Sequence, residues 1–323
     1  MFSVTYRKIF LSITAVIFVA SIAIIAIFGL RPSIDFTGGS LTEVVYQNEL
    51  PDKAALEAVV SELGYTGFSV RESIDEAGRP GYLVRTRDLT DGERETLGTS
   101  LLGIADGSEV TRFTSIGPVI GQELRGKAAW AIGAVSLIIV LYIAFAFAGI
   151  GTPVSSWVYG GITIFVLIHD VLVPTAVISL LGYFMGLEAD VLFVMALLAV
   201  LGYSVNDTIV VFDRVRENLK KHRTEKRTKS AVAGIVREEV TYELTKPYEE
   251  IVGMSVSQTL ARSINTSLTT LLAVGVLYVI GGEVTQTFAL VLFAGVLAGT
   301  YSSICIATPL LVTYAAWQAK KKS

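Results

Sequence analysis

The sequence predicts an α-helical polytopic membrane protein, with six transmembrane helices and a small α+β ferredoxin-like extracytoplasmic domain between the first and the second. Three observations carry this. Hydrophobic residues make up 52% of the 323 positions and charged residues 17%, where a soluble domain carries about 25% charged. The apolar residues are bunched into long runs, and a run of about 18 or more reads as a bilayer-spanning helix, because only a helix satisfies its own backbone groups in lipid. Between the first and second runs lies one long polar stretch, residues 31–127, punctuated by Gly, Pro and charged residues.

The first run, Ile9 to Leu30 within residues 1–30, follows Arg7 and Lys8. It is longer than the roughly 7–15 apolar residues of a signal peptide, and no small-residue cleavage site closes it, so it reads as a retained anchor. In residues 31–127, Ser40–Gln47 is β-branched and strand-like. Pro51–Leu63 opens on Pro-Asp and continues as a helix. Phe68–Ile74 and Tyr82–Arg87 alternate around a turn at Asp75–Gly81, Asp91–Ile104 reads as a second helix, and Glu109–Ile116 as a last strand. The order β-α-β-β-α-β is the split βαβ, ferredoxin-like arrangement. Spans two to four fall within residues 128–213, as Ala128–Ala148, Val154–Leu181 and Val191–Phe212, with a very short connection at Gly149–Pro153. Residues 214–262 form a basic loop that ends in an amphipathic helix, Tyr248–Leu260, expected to lie on the membrane surface. Residues 263–323 hold the last two spans, Ile264–Ile280 and Thr285–Tyr314, and a basic tail.

Orientation follows from Lys and Arg. Arg7 and Lys8, the cluster Arg216, Lys220, Lys221, Arg223, Lys226, Arg227 and Lys229, and the tail Lys320–Lys322 all fall on one side of a six-span chain. The positive-inside rule makes that side cytoplasmic, with both termini on it and residues 31–127 across the membrane.

A net charge of −3 favours neither nucleic acid nor an acidic substrate. The single cysteine, Cys305, cannot form an internal disulfide, and no Cys/His spacing suits a metal. No nucleophile–base set or phosphate loop is present, so no enzyme and no cofactor are expected.

Ionisable groups inside spans are costly and mark function. Asp207 lies six residues before Asp213, about 9 Å inside the cytoplasmic end at ~1.5 Å per residue. Ser204, Thr208 and Val211 share its helical stripe. It reads either as a carboxyl that exchanges a proton or as a static hydrogen-bonded plug. Asn206 is its neighbour in the chain. Arg262, at the start of the fifth span, enters at a similar depth and is the expected cation for Asp207, unless it snorkels to the headgroups. Asn265, Thr266, Ser267, Thr269 and Thr270 follow it and are expected to line a hydrated path. His169 and Asp170, mid-way through the third span, read as a relay or as a paired polar plug. Gly295 and Gly299 are spaced GxxxG, for close packing either within the chain or between subunits.

Five segments then stand in order along nearly the whole chain: Asp35-Phe36-Thr37-Gly38-Gly39; Ser115-Ile116-Gly117-Pro118-Val119-Ile120-Gly121; His169-Asp170-Val171; the stretch from Gly202-Tyr203-Ser204-Val205-Asn206-Asp207-Thr208 to Asn218; and Arg262-Ser263-Ile264-Asn265-Thr266-Ser267. Together they resemble the SecF family of bacterial protein-export membrane subunits. The resemblance implies one six-helix half of a resistance–nodulation–division transporter in the bacterial inner (cytoplasmic) membrane. It implies SecD as the other half and SecA–SecYEG as the machine assisted. It also implies a translocating preprotein as client and protons as the energy source. The family's proton-path aspartate falls on Asp207 and its intramembrane arginine on Arg262. One departure is a segment, residues 224–246, that resembles an insertion and could be a helical hairpin, a disordered loop or a contact with cytoplasmic machinery. Two rival readings are half of a proton-driven small-molecule or lipid exporter, and a scaffold that moves nothing.

Overall fold

Six helices are long and apolar enough to cross a membrane, as the run lengths predict: Arg7–Phe28, Pro118–Ala146, Ser156–Met185, Val191–Lys221, Tyr248–Ile280 and Thr285–Lys321. The computed structural model describes residues 2–75, 77–147, 154–232 and 235–322, with backbone alone for 226–242, 283–284 and 322. The expected short connection at Gly149–Pro153 lies outside the described residues.

A one-turn helix, α1 (Phe2–Thr5), leads into the first span, α2 (Arg7–Phe28). The outer domain follows as α3 (Ile34–Thr37), β1 (Gly39–Tyr46), α4 (Lys53–Glu62), β2 (Ser69–Ile74), β3 (Pro80–Thr86), α5 (Asp91–Leu102) and β4 (Ser108–Ile116). The sheet runs β2-β3-β1-β4 with every pair antiparallel, the split βαβ order expected from the sequence. Each helix starts where its cap residue stands. Asp52 accepts from the Ala54 amide at 3.2 Å. Thr90 and Glu93 form a reciprocal capping box. The Arg87 guanidinium, followed by the Thr90 amide, holds the Glu93 carboxyl down at about 2. Leu56 and Val60 of α4 and Leu97 and Leu101 of α5 are buried against Val44, Tyr46, Val70, Tyr82 and Val84 of the sheet. Each such apolar side chain contributes about 1.5–3 kcal/mol on burial.

This domain does not hang freely from the membrane helices. The backbone just before α3 is locked to the turn before the fourth span, Ser33 N donating to Ala189 O and Ala189 N to Arg31 O, each at 2.8 Å. Asp35 Oδ2 accepts from the amide of Val191, the first residue of that helix, at 3.0 Å. On the sheet, Arg71 and Arg85 both pair with Oε1 of Glu188 in the same turn. Replacing Glu188 with Gln leaves two half-buried guanidinia without their shared charge, a cost of about 1–2 kcal/mol at this partial exposure. Faster amide exchange in segment 32–39 is the expected result, and unchanged exchange would show that the backbone bonds alone hold the domain.

The membrane helices continue as α6 (Pro118–Ala146), α7 (Ser156–Met185) and α8 (Val191–Lys221). Then come strands β5 (Arg223–Val232) and β6 (Ile235–Leu244), helices α9 (Tyr248–Ile280) and α10 (Glu283–Ser302), a π turn at Ser303–Ala307, and α11 (Thr308–Lys322). Helices α7, α8 and the last span form the centre, half-buried along their length, while α2, α6 and α9 are largely exposed. The GxxxG pair works within the chain: a Cβ on Gly295 would lie 2.1 Å from Val200 Cγ2, and one on Gly299 3.2 Å from Ser204 Cβ. Small residues let α10 approach α8 this closely.

Two expectations need correction. The second span's helix begins at Pro118 rather than at 128, because Gly117 and Pro118 form its N-terminus and the polar turns after them hold as helix, with Glu123 paired to Lys127 at 2.7 Å. Tyr248–Leu260 is not a separate surface helix. It runs without a break into the fifth span as one helix of 33 residues, because Ile251, Val252, Ser255, Val256 and Thr259 are buried. There Asn218 of α8 bonds Ser255 at 2.8 Å and Gln258 at 3.0 Å. The segment expected as an insertion, 224–246, whose form the sequence left open, falls on the antiparallel pair β5 and β6. At the same end Arg7 pairs with Glu249 at 2.5 Å, tying α2 to α9.

Candidate functional site

Two buried carboxyls lie in the centre of the membrane region, on neighbouring helices. Asp207 of α8 is 5% exposed. Its Oδ1 accepts from Ser263 Oγ of α9 at 2.6 Å, and its Oδ2 from Ser303 Oγ, the first residue of the π turn, at 2.5 Å. Ser204, Thr208 and Val211 are buried with it, as their shared stripe predicts, and Thr208 Oγ1 has no hydrogen-bond partner among the described residues.

Asp170 of α7 is fully buried. Its Oδ2 accepts from Ser204 Oγ at 2.5 Å and from Ser302 Oγ at 2.7 Å. Its Oδ1 faces His169 Nδ1 at 2.8 Å, while His169 Nε2 is buried without a hydrogen-bond partner among the described residues. Pro174 brings no N–H to the Asp170 carbonyl four residues back, so α7 is weakened at this turn. Ser204 lies one turn before Asp207 and bonds Asp170, so one face of α8 serves both carboxyls.

The expected cation is not part of this geometry. Arg262 is exposed and makes no ion pair among the described residues. Its neighbour Ser263, not Arg262, is the α9 residue that meets Asp207. Ser255, Thr259, Ser263 and Ser267 recur every fourth residue and form the buried stripe of α9. Arg262, one residue before Ser263, is therefore turned by about 100° onto the flank. Asn206, Asn265, Thr266 and Thr269 are also exposed. The Thr266 hydroxyl bonds back to Arg262 O at 2.9 Å and that of Thr269 to Thr266 O at 2.9 Å, which satisfies them within their own helix. Ser267 does face inward, accepting from Tyr203 Oη at 3.1 Å and Thr300 Oγ1 at 2.6 Å.

Ser263, Ser302 and Ser303 are the site residues that sequence reasoning did not assign. The signal for Ser263 is the four-residue hydroxyl repeat that starts at Ser255. The signal for Ser302 and Ser303 is a pair of adjacent serines one turn after Gly299, and it does not say which carboxyl each one meets.

With this geometry in view, relatives are informative. The family described as protein export membrane protein SecD/SecF, C-terminal, matches residues 97–235 and 231–317, so the match divides inside the β5–β6 ribbon. The SecD/SecF GG motif matches residues 23–49, around Gly38 and Gly39. The protein translocase subunit SecF of Anaerolinea thermophila is 37% identical over 314 residues, 95% of this chain and 92% of that protein. The SecF subunit of Vibrio alginolyticus is 35% identical over 90% of this chain and 82% of its own length. Among solved structures, SecDF of Thermus thermophilus, described as a translocon-associated membrane protein, superposes with a TM-score of 0.77 at 30% identity. That alignment takes in 96% of this chain but only 38% of the SecDF chain. Family match, near full-length identity and shared fold agree: this chain belongs to the SecF family of protein translocase subunits, multi-pass membrane proteins of the protein-export system.

Proposed function

We propose that this chain is the SecF half of a proton-driven pair whose other half is SecD, and that Asp207 is the group that takes and releases the proton. The observation that carries the reading is the setting of Asp207: a buried carboxyl where three helices meet, held by two serine hydroxyls and by no lysine or arginine among the described residues. Hydroxyls can serve both forms of the group, donating to a carboxylate and accepting from an acid. A fixed ion pair would commit the carboxyl to one form. His169, Asp170 and Ser204 form the neighbouring polar path.

The exposed flanks of α8 and α9 support the SecD partner. Asn206, Arg262 and Asn265 lie on candidate spans without side-chain partners among the described residues, where exposure to lipid would cost several kcal/mol. A second six-helix half laid on this face would give them partners, and Arg262 would join the path through that interface. The termini and ribbon lie on the cytoplasmic side, and residues 31–127 outside. Protonation at Asp207 would reach the outer domain through α8, whose first residue is held by Asp35. SecA and SecYEG would deliver the preprotein, and the outer domain would hinder its return.

The test is a reconstituted SecD-containing complex in proteoliposomes with the export channel and its motor. An imposed proton gradient should speed the exit of a model preprotein, and an uncoupler should abolish the gain. An exit rate that ignores the gradient would leave the chain a scaffold.

A further inference from the structure

We infer that Asp170 is a second proton-binding carboxyl and that the adjacent hydroxyls of Ser302 and Ser303 couple it to Asp207, so that this half of the transporter works with two linked protonation events. The inference rests on the reading of Asp207 given above and adds a second site and a coupling element to it.

The two carboxyls are held in the same manner from one short stretch of chain. Ser302 Oγ reaches Asp170 Oδ2 at 2.7 Å, and the next residue, Ser303, reaches Asp207 Oδ2 at 2.5 Å. Each serine has a second acceptor in its own helix: Gly299 O lies 3.1 Å from Ser302 Oγ, and Thr300 O lies 3.1 Å from Ser303 Oγ. A hydroxyl with two acceptors is a two-position switch. While the carboxyl is ionised the serine donates to it and pins the last span to α7 or α8. When the carboxyl is protonated, its new O–H needs an acceptor, and the serine oxygen supplies one once its own hydrogen turns back to the helix carbonyl.

The two switches are adjacent, and Ser303 opens the π turn Ser303–Ala307. Such a turn carries one surplus residue and often marks a functional site. A change in the hold on Ser302 is therefore passed to Ser303 over one peptide unit. Gly299, whose missing side chain brings α10 against Ser204 and Asp170, keeps that stretch close to both carboxyls.

Histidine supplies the entry. With His169 Nδ1–H donating to Asp170 Oδ1, the buried Nε2 is a lone pair with no partner among the described residues. A buried polar atom left unsatisfied in this way marks a place for a water or a proton. A proton bound at Nε2 makes the imidazolium. Transfer of the Nδ1 proton to Asp170 Oδ1, followed by a half-turn of the carboxyl that carries its O–H to the Ser302 side, leaves the acid and the neutral Nε2–H tautomer, one proton having entered at Nε2 and one having passed to the carboxyl. Titratable side chains on the elements packed round the two carboxyls include His169 on α7, Tyr203 on α8, and Tyr301 and Cys305 on the last span. Helix α2 presents Thr14, bonded to Tyr301 Oη at 3.1 Å, and α9 presents Ser263, with Arg262 on its flank.

The experiment is infrared difference spectroscopy of the purified SecD-containing complex in lipid nanodiscs across a pH series, reading the carboxylic-acid carbonyl band. Wild type minus Asp170→Asn should isolate one titrating carboxyl, and wild type minus Asp207→Asn another. Each substitution should shift the midpoint of the remaining signal by about tenfold in proton concentration. Ser302→Ala keeps both carboxyls, removes the link, and should shrink that mutual shift several-fold; it also serves if Asp170→Asn does not assemble. An unchanged carbonyl band in Asp170→Asn, or a mutual shift untouched by Ser302→Ala, would overturn the inference while leaving Asp207 standing. Loss of no signal in Asp207→Asn would instead overturn the reading on which it rests.

Discussion

Asp207→Asn is expected to leave the protein assembled and to remove the response of export to the proton gradient. The amide has the shape of the protonated acid: its oxygen can accept from Ser263 or Ser303, and its NH₂ can donate to the oxygen of the other. Packing is kept, and only the ability to change charge is lost. One charge moved through 100 mV is worth about 2.3 kcal/mol. That biases a two-state equilibrium by about 50-fold. Gradient-driven export should therefore drop by up to about that factor, to the level seen with an uncoupler. The measurement is export of a model preprotein in cells lacking their own subunit, with expression of wild type and variant matched. Full gradient-dependent export in the variant would make Asp207 a structural plug.

Gly38→Ala should be the most damaging small substitution in the outer region. Gly38 has φ +73°, and a Cβ there would lie 2.8 Å from the Cα of Pro118. The neighbour is backbone at the first residue of α6, so no rotamer change can relieve the contact. Gly121 completes the joint, since its own Cβ would lie 2.7 Å from the Gly38 amide nitrogen. Two of the segments picked out in the sequence thus close on each other and fix the angle at which the domain meets the membrane helices. A left-handed alanine costs about 1–2 kcal/mol and overpacking about 1–3 more. Gly64 is the control: it has φ +77° with open space around it, so Gly64→Ala should show the conformational cost alone. Thermal unfolding of the purified complex and export in cells should both fall well below the Gly64→Ala level. Equal behaviour of the two variants would mean that the Gly38–Pro118 joint yields easily.

Much of the fold could be read because its signals are local. The alternation of β2 and β3, the Pro-Asp start at Asp52, and the lengths of the apolar runs each depend on a few neighbouring residues. The boundaries that misled were those where polarity and helicity part company. Residues 118–127 are polar and 248–260 amphipathic, yet both are continuous with spans, because a helix that has started on a good cap or a buried stripe does not stop where the bilayer does. Of the site, the buried ionisable residues Asp207, His169 and Asp170 could be named from the cost of placing such groups in lipid.

Residue order alone was enough to read the spans, the domain between them, the family resemblance and the two carboxyls placed inside the spans. Tertiary structure alone decided which groups surround those carboxyls. Depth along a helix follows from counting residues, but facing follows from how each helix is rotated against its neighbours. The rotation of α9 put Ser263 on Asp207 and turned Arg262 aside. The approach of α10 that Gly295 and Gly299 permit set Ser302 and Ser303 one to each carboxyl. Those rotations minimise packing energy over several helices at once, and no single segment encodes them.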